Sequence, residues 1–452
     1  RALESIFSLK IDLGLGKYIY IIPIFYFIFL YYIWRVRILN FDLLSSFIGI
    51  TFLSLALLSP NSLGWFVWSV PFLTIYQINS DNLSKLISVI FVITYILLYL
   101  ISEGIHHSIL VSFSINLNQF ISTETIDSLS YTAFVSLGVI LIFRIWRELI
   151  TQNKFFLSFR KPLLIGVAGD SGSGKDTYSD IITNVLGDGF TTKISGDDYH
   201  LWDREKSMWN HLTHLNPAAN DLDQFLSDVE NIANNKSIIT RIYSHKTGQM
   251  LKPIKKIAKE ISIISGLHTF HNNELRNKFD LKVFLDINEE LRKYFKISRD
   301  ISVREQDIIK VEEKLKQREG DSNKFIKPQI KFADIIFSLY PLASTKLDYN
   351  NNNEIKFGIK IVSNFSKNYN FLIKNLVSLS SLNIDTRYDN NTEKNIIIIE
   401  GEINNDDVGM IGNICFSNLL NFLDCEPKWE QDMNGIIQLF TLIHVDYILL
   451  NR

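Results

Sequence analysis

A lysine and a group of glycines near the middle of the chain have the spacing of a phosphate-binding loop. In LLIGVAGDSGSGKDTYSD, the residues Gly169, Gly174 and Lys175 satisfy the pattern G-x-x-x-x-G-K-[ST] up to its last position. Glycines let backbone N–H groups turn toward phosphate oxygens, and the lysine would reach the β and γ phosphates. The predicted nucleotide-binding residues are Gly169, Asp170, Ser171, Gly172, Ser173, Gly174, Lys175, Asp176 and Thr177.

The residues on either side of this loop predict the elements that the motif needs. KPLLIGVAG is a short apolar run that predicts a buried parallel strand, and DTYSDIITNVL has apolar residues at helical spacing. A helix that starts at the loop adds its partial positive charge to the phosphate site. Strand, loop and helix together predict nucleotide binding.

From this loop onward the sequence resembles the phosphoribulokinase/uridine kinase family, most closely its phosphoribulokinase branch. The resemblance covers about 180 residues and implies an α/β P-loop kinase fold with a mostly parallel sheet. It also implies an ATP-dependent kinase that phosphorylates a hydroxyl of a small, sugar-phosphate-like acceptor. Six further segments follow in the family's order: ISGDDYHLWDR, THLNPAANDLDQF, IYSHKTG, IISGLHTF, KISRDISVR and FIKPQIKFADIIF.

Phosphoryl transfer needs an oriented hydroxyl, a neutralised γ-phosphate and in-line geometry. Asp197 follows a short predicted strand, where it is placed to accept the proton of an acceptor hydroxyl. Taken alone, the pair Asp197–Asp198 is typical of a turn or a helix cap. The resemblance implies that Asp197 is the catalytic base and that Lys175 acts with it, with Asp198 as a neighbour or metal partner.

The resemblance also assigns residues that bind the substrate. A phosphate on the acceptor would bind to Arg204, because the planar guanidinium fork matches phosphate oxygens. Three basic residues belong to the segment that corresponds to the family's lid, and two of them share a helix face if the segment is helical. The predicted substrate-binding residues are His200, Arg204, Tyr243, His245, Lys296, Arg299 and Arg304.

Two positions depart from the family's pattern at the metal. The family places Ser or Thr after the loop lysine and Glu before GLH, whereas this chain has Asp176 and Ser265. Compared with the family, the carboxylate and the hydroxyl have changed places between these two positions, and Mg²⁺ accepts both kinds of ligand. We predict that Asp176 and Ser265 hold Mg²⁺. The alternative is a pocket that binds nucleotide with little catalysis and regulates the rest of the protein.

Residues 1–150 are mostly apolar and aromatic and predict a membrane region of about five spans. A helix needs about 20 mainly apolar residues to cross a bilayer. The segment Leu57–Leu73 weakly resembles the late membrane segments of polyprenol-dependent glycosyltransferases, which adds a lipid-linked sugar as an alternative acceptor. The predicted spans are Ile19–Trp34, Leu43–Leu58, Leu86–Ile101 and Ser130–Trp146, together with Leu63–Ile78, which is short, contains Pro71 and is either a span or a re-entrant segment.

Basic residues favour the cytoplasmic side of a membrane. The loop Glu103–Leu129 has no Lys or Arg, whereas Arg144 and Arg147 close the last predicted span. We therefore expect a multi-pass protein of the cell membrane with its kinase part in the cytoplasm, in contact with the lipid bilayer. The first residue is Arg1 and not Met, which indicates a fragment.

The remaining chain properties exclude some classes of protein. The net charge of −2 gives no basic field for nucleic acid, and two cysteines give no disulfide framework. The kinase domain is predicted over 158–342, followed by a small α+β appendage over 343–452 with strand-like alternation at Ile355–Val362. The sequence leaves open whether this appendage forms a subunit contact in a homo-oligomer or covers the site.

Overall fold

The computed structural model divides the chain into two compact units, Arg1–Leu157 and Ser158–Arg452, which are described separately. Predictions that fall on other residues, including Arg304, lie outside the described part. The structure describes residues 7, 9–35, 41–102, 123–148, 161–204, 206–302, 318–342, 355–364, 369–389, 393–423 and 425–452.

The first unit consists of a short hairpin and apolar helices. Aromatic side chains form its core, including the stacked pair Phe91 and Phe134, while many apolar side chains on the outer helix faces are exposed. The hairpin is β1 (Lys10–Asp12) and β2 (Tyr18–Tyr20), and the helices are α1 (Ile21–Arg35), α2 (Phe41–Leu58), α3 (Val70–Asn79), α4 (Asn82–Ser102) and α5 (Thr123–Trp146).

Two of the five predicted spans form helices of membrane-crossing length. Asn82–Leu100 in α4 and Ser128–Trp146 in α5 are long and apolar enough, whereas the apolar stretches of α1 and α2 are shorter. The third predicted span is not one helix, because a 3₁₀ helix over Pro60–Ser69 precedes α3 and Pro71 lies in the first turn of α3. A proline is tolerated there because the first turn has no intrahelical N–H bond to lose. Crossing of a membrane stays a prediction for these helices.

The second unit is organised around five parallel strands in the order β4–β9–β3–β10–β11. All residues of β3 and β9 are buried, as expected for strands covered on both faces. The strands are β3 (Leu163–Gly169), β4 (Thr191–Ser195), β9 (Ile261–Gly266), β10 (Leu281–Ile287) and β11 (Ile335–Pro341). The predicted strand, loop and helix at the phosphate motif are confirmed, with α6 (Lys175–Leu186) as the helix.

Helices and small hairpins surround this sheet. Asp221 is the N-cap of helix α8, and its side chain accepts a hydrogen bond from the backbone N–H of Gln224. These elements are α7 (Met208–His211), α8 (Leu222–Ala233), β5 (Ile238–Thr240), β6 (Tyr243–Ser244), β7 (Gln249–Met250), β8 (Ile254–Lys256), α9 (Asn273–Arg276) and α10 (Glu289–Ser302).

The C-terminal residues extend the same sheet. β12 (Phe357–Ser363) pairs antiparallel with β11, and β14 (Lys394–Glu400) and β13 (Asn383–Asp389) follow it outward, so that the described part of the sheet has eight strands. The strand predicted at Ile355–Val362 is therefore confirmed, one to two residues from its expected bounds. The accompanying helices are α11 (Asn370–Leu379), α12 (Asn405–Leu423) and α13 (Asp432–Asn451).

The last helix, α13, belongs to the core of this unit. It is long and apolar enough to cross a membrane, yet 72% of that stretch is buried inside the protein. It packs on α6, where the buried Gln438 amide donates to the Ile181 carbonyl at 2.8 Å and Tyr178 contacts Thr441 at 3.1 Å. The C-terminal residues thus support the helix that carries the phosphate loop.

Candidate active site

The phosphate loop joins the end of β3 to the start of α6. Gly172 and Gly174 both have φ of +87°, a conformation that only glycine adopts at little cost. The Lys175 ammonium lies inside the curl of the loop and donates to the carbonyls of Gly169 (3.0 Å) and Asp170 (2.8 Å). The loop therefore presents a cation and backbone N–H groups in the arrangement predicted for phosphate binding.

Arg292 of α10, a residue that sequence reasoning did not single out, holds this loop in place. It is largely buried, donates to the Ser171 carbonyl at 3.1 Å and lies 3.4 Å from Asp170 Oδ2. Asp170 also accepts a hydrogen bond from Ser322 at 2.6 Å, and Glu289 pairs with the other side of the guanidinium at 2.6 Å. One signal was available, since Arg292 lies one helical turn before the predicted lid residue Lys296.

Asp197 lies in a short 3₁₀ turn, Gly196–Tyr199, directly after β4. β9 separates β4 from the phosphate-loop strand, so Asp197 stands two strands away from β3. Its carboxylate oxygens lie 3.7 Å from His200 Nε2 and 3.5 Å from His245 Nε2. Burial alone would raise the pKa of Asp197, but His200, His245 and Lys175 together hold that pKa below its ordinary value. Asp197 is therefore ionised at neutral pH.

Asp198, the neighbour of Asp197, is buried and bonds residues of β6 and β8. Its oxygens accept from the backbone N–H of Tyr243 (2.9 Å) and from Lys256 Nζ (3.1 Å), and burial raises its pKa. The first bond attaches the hairpin of β6 and β7 to the turn after β4, and the second attaches β8 to the same turn. Of the two roles predicted for Asp198, a neighbour of the base or a metal partner, these contacts support the first, because both of its oxygens are engaged by the protein; a role at the metal stays a prediction.

The predicted acceptor residues meet around Asp197. Arg204 donates to the His245 carbonyl at 3.3 Å and lies over the Tyr243 ring at 5.9 Å. Gly248 packs directly against Arg204, since a Cβ at this glycine would lie 2.8 Å from the Arg204 Cβ. The hairpin thus places an arginine, a tyrosine and a histidine on one side of the carboxylate.

Two further histidines line or support this region. Burial, with positive neighbours, lowers the pKa of His214 well below its usual value, and burial lowers the pKa of His268 to about 4. His268 Nε2 lies 3.1 Å from the His214 carbonyl, and His200 Nδ1 lies 2.7 Å from Asn220 Oδ1. His214 and His268 are therefore neutral at pH 7 and pack the site without adding charge.

The predicted lid residues are only partly described. Lys296 is buried on α10 and lines the cavity of the phosphate loop, together with Arg318, which sequence reasoning did not name. Arg299 belongs to α10, which confirms a helix in this segment, but its side chain lies outside the described part. Of the three predicted lid cations, Lys296 is thus the one that the described residues place at the site.

The two predicted metal ligands line this cavity as well. Asp176 is largely exposed, with one oxygen 3.9 Å from His245 Nε2, and Ser265 is buried at the end of β9. Among the described residues no group of three or more His, Cys, Asp or Glu side chains could hold a metal ion by itself. This donor set still fits Mg²⁺, which keeps several waters and takes one or two carboxylates together with substrate phosphates.

A cavity of about 1420 Å³ runs along the carboxyl ends of the strands. At one end it contains Asp197, His200 and Arg204; at the other it contains residues after β11 and β14. Single small-molecule sites occupy about 300–1,000 Å³. The cavity therefore has room for two substrates side by side, as a transfer reaction requires.

Comparison with known proteins places this region in a family. Residues 164–346 match the model described as the phosphoribulokinase/uridine kinase family. A phosphoribulokinase from Synechocystis sp. is 35% identical over 181 residues, covering 40% of this chain and 54% of that protein. A uridine kinase from Clostridium novyi is 31% identical over 185 residues, covering 39% of this chain and 86% of that protein.

The match has clear limits. The chain spans about half the length of the phosphoribulokinases that it matches. A solved phosphoribulokinase from Rhodobacter spheroides aligns with a TM-score of 0.45 at 18% identity, covering 58% of this chain and 98% of that chain. The family match lies outside Leu57–Leu73 and gives no support to the glycosyltransferase resemblance of that segment. Because the chain covers most of a uridine kinase at 31% identity, it belongs to the phosphoribulokinase/uridine kinase family.

Proposed function

We propose that this protein is a kinase that transfers the γ-phosphate of ATP to a hydroxyl of a small, sugar-phosphate-like acceptor. The observation that carries the proposal is the position of Asp197, an ionised carboxylate between His200 and His245 in the cavity of the phosphate loop. A carboxylate in this place accepts the proton of the attacking hydroxyl. The names of the relatives, phosphoribulokinase and uridine kinase, support a sugar or nucleoside hydroxyl as the acceptor.

Of the remaining residues, some bind the nucleotide and others bind the acceptor. The loop N–H groups and Lys175 bind the β and γ phosphates and hold them in line with the acceptor. Arg204 binds an anionic group on the acceptor, and its contacts to Tyr243 and to the His245 carbonyl fix its direction. Lys296, buried on α10, adds positive charge over the transferred group.

Mg²⁺ is part of the proposal, with Asp176 and Ser265 as the residues that would hold it. When bound, Mg²⁺ neutralises charge on the phosphates during transfer. Asp176 follows Lys175 directly in α6, so its carboxylate stands at the phosphate end of the cavity. Without a cation this carboxylate would repel the nucleotide, which makes nucleotide affinity dependent on Mg²⁺.

Membrane attachment is likewise a proposal. It rests on the length and apolar composition of α4 and α5 and on their exposed apolar faces. We infer a multi-pass protein with its kinase unit in the cytoplasm, where ATP is available. A lipid-linked acceptor and a regulatory module with little catalysis are the competing functions.

Replacement of Asp197 by Asn tests the proposal. The variant keeps the shape of the side chain but loses the proton acceptor, so kcat falls by about 10²–10⁴-fold while the affinity for ATP changes little. Asp180→Asn is the matched control, because Asp180 is an exposed carboxylate of α6 that pairs with Lys193 outside the cavity. Unchanged turnover in Asp197→Asn contradicts the assignment of the base.

A further inference from the structure

The far end of the cavity has a wall that the family match does not include. Its residues follow β14 and begin α13, beyond residue 346, where the family match ends. This wall is formed by Gly401, Glu402, Ile403, Asn404, Asp432, Met433 and Asn434.

The in-line geometry of phosphoryl transfer places the ADP part of the nucleotide on the side of this wall. Attacking and leaving oxygens lie on opposite sides of the γ-phosphate, so the ADP part points away from Asp197. Asp197 follows β4, on one side of the phosphate-loop strand β3, while β10, β11, β12 and β14 lie on the other side. With strands about 4.8 Å apart, β11 and β12 are about 10–14 Å from β3, which suits the base of a nucleotide whose phosphates occupy the loop.

The wall has the chemical character of a base-binding slot. Ile403, Met433 and Ile437 are buried apolar residues, and Phe357 lies beside them in the cavity. Flat heteroaromatic rings bury their faces against such side chains and need only a few polar groups at their edge.

Hydrogen bonds connect the segment after β14 to the start of α13, the two segments that form the wall. The Asp432 N–H donates to the Ile403 carbonyl at 2.8 Å, and Asp432 Oδ1 accepts from the Ile403 N–H at 3.1 Å. Asp432 has a left-handed φ of +54°, which costs on the order of 1 kcal/mol and is maintained by these two bonds. The first turn of α13 is therefore held in a defined position at the edge of the cavity.

Glu402, Asn404 and Asp432 of this wall are engaged by Lys356, Asp407 and the Ile403 N–H, so among its described residues Asn434 is the polar side chain left for a ligand. It is half-buried, it lines the cavity, and its amide forms no hydrogen bond with any residue in the described ranges. One turn further along α13, Gln438 bonds the Ile181 carbonyl of α6, six residues after Lys175. Ile181 is about 9 Å from the phosphate loop along α6, and Asn434 lines the same cavity as that loop.

We propose that Asn434 recognises the adenine edge and sets the preference of this protein for ATP over GTP. An Asn amide donates one hydrogen bond and accepts another, which matches the acceptor nitrogen and the exocyclic amine of adenine. At the edge that carries N7, guanine presents a carbonyl in place of that amine, so the amide oxygen has no donor in either orientation of the amide. This inference rests on the proposed nucleotide binding and assigns a base-specificity role to a residue outside the matched kinase region.

Steady-state kinetics of the full chain with ATP and GTP, together with equilibrium binding of both nucleotides, test this proposal. Asn434→Ala loses both hydrogen bonds to the base, so the affinity for ATP falls by about ten-fold while the affinity for GTP is unchanged. The ATP/GTP preference therefore falls about ten-fold. Asn434→Leu keeps about the same side-chain volume but offers no hydrogen bond, so it lowers the ATP/GTP preference in the same way. Asn405→Ala, an exposed Asn in the first turn of α12, is the control that keeps the preference.

The outcomes separate this proposal from the proposed function. If the unmodified chain phosphorylates an acceptor and both Asn434 variants keep its ATP/GTP preference, the role of Asn434 is refuted while the kinase assignment stands. If no transfer occurs but binding shows the Asn434-dependent preference, base recognition is supported and the kinase assignment fails. Absence of any nucleotide binding refutes both. Thermal unfolding of each variant identifies a folding defect, and Asn434→Leu, which keeps the side-chain volume, still tests the role if Asn434→Ala does not fold.

Discussion

Arg292 offers a direct test of how the phosphate loop is held. Its guanidinium reaches in two directions at once, to the Ser171 carbonyl and Asp170 on one side and to Glu289 on the other. Lysine at this position keeps the charge but cannot reach both sides, because an ammonium lacks the planar fork. Arg292→Lys therefore releases Ser171 and Asp170 from α10.

The size of the effect follows from the hydrogen bonds that the lysine cannot form. A hydrogen bond to a charged group contributes about 1.5–3 kcal/mol, and Asp170 keeps its bond to Ser322 as partial compensation. We therefore expect a loss of about 1.5–3 kcal/mol in nucleotide binding, which corresponds to a Kd for ATP higher by about 10–150-fold. Isothermal titration of the full chain with ATP measures this change.

A control on the same helix makes the result interpretable. Lys293 is half-exposed, and its ammonium lies 4.0 Å from a Glu289 oxygen, which makes a weak surface ion pair. We therefore expect Lys293→Ala to change the Kd for ATP by less than about two-fold. If Arg292→Lys binds ATP as tightly as the unmodified chain, the phosphate loop does not depend on α10 and the reasoning is refuted.

Three further predictions concern stability, the metal and the membrane. Because the pKa of His268 is lowered from 6.5 to about 4, the unfolded state binds more protons than the folded state between these two pH values, and the free energy of unfolding decreases by about 2 kcal/mol as the pH drops from 7 to 5. Urea unfolding of His268→Asn and of the unmodified chain at both pH values measures this difference. An equal pH dependence of the two proteins refutes the prediction. If Asp176 and Ser265 share Mg²⁺, Asp176→Ser with Ser265→Glu keeps substantial activity and each single change does worse; additive effects on kcat/KM across a Mg²⁺ titration contradict a shared ion. Labelling of intact cells marks a cysteine introduced at Ser114 and misses one at Ser378, an exposed residue of α11 in the kinase unit, and the reverse pattern overturns the proposed orientation.

Local patterns in the sequence were sufficient for the phosphate loop. Its strand, glycines and helix are neighbours along the chain, so spacing alone predicts how they are arranged. The grouping of Asp197 with Arg204, Tyr243 and His245 came instead from the family resemblance, since these residues are brought together by a hairpin and a crossover that spacing does not specify.

Features that depend on long-range packing were not predictable. α13 has the composition of a membrane span, and only its packing against α6 shows it to be a buried helix of the kinase unit. Likewise, the pattern of β12 predicts a strand but not its partner, and its pairing with β11 brings the C-terminal wall to the cavity. The partners of Asp198, Lys256 and the Tyr243 N–H, could not be predicted because they are more than 40 residues away in sequence.

Transfer of label from ATP to an acceptor is the most direct test of the central claim. The full chain is incubated with Mg²⁺, ATP labelled at the γ-phosphate and a panel of pentose phosphates, nucleosides and lipid-linked sugars, with Lys175→Ala as the inactive control. We expect label to move to the hydroxyl of an anionic sugar-phosphate-like acceptor, and we expect Lys175→Ala to abolish this transfer. ATP binding without transfer to any acceptor, or transfer that persists in Lys175→Ala, would contradict this expectation.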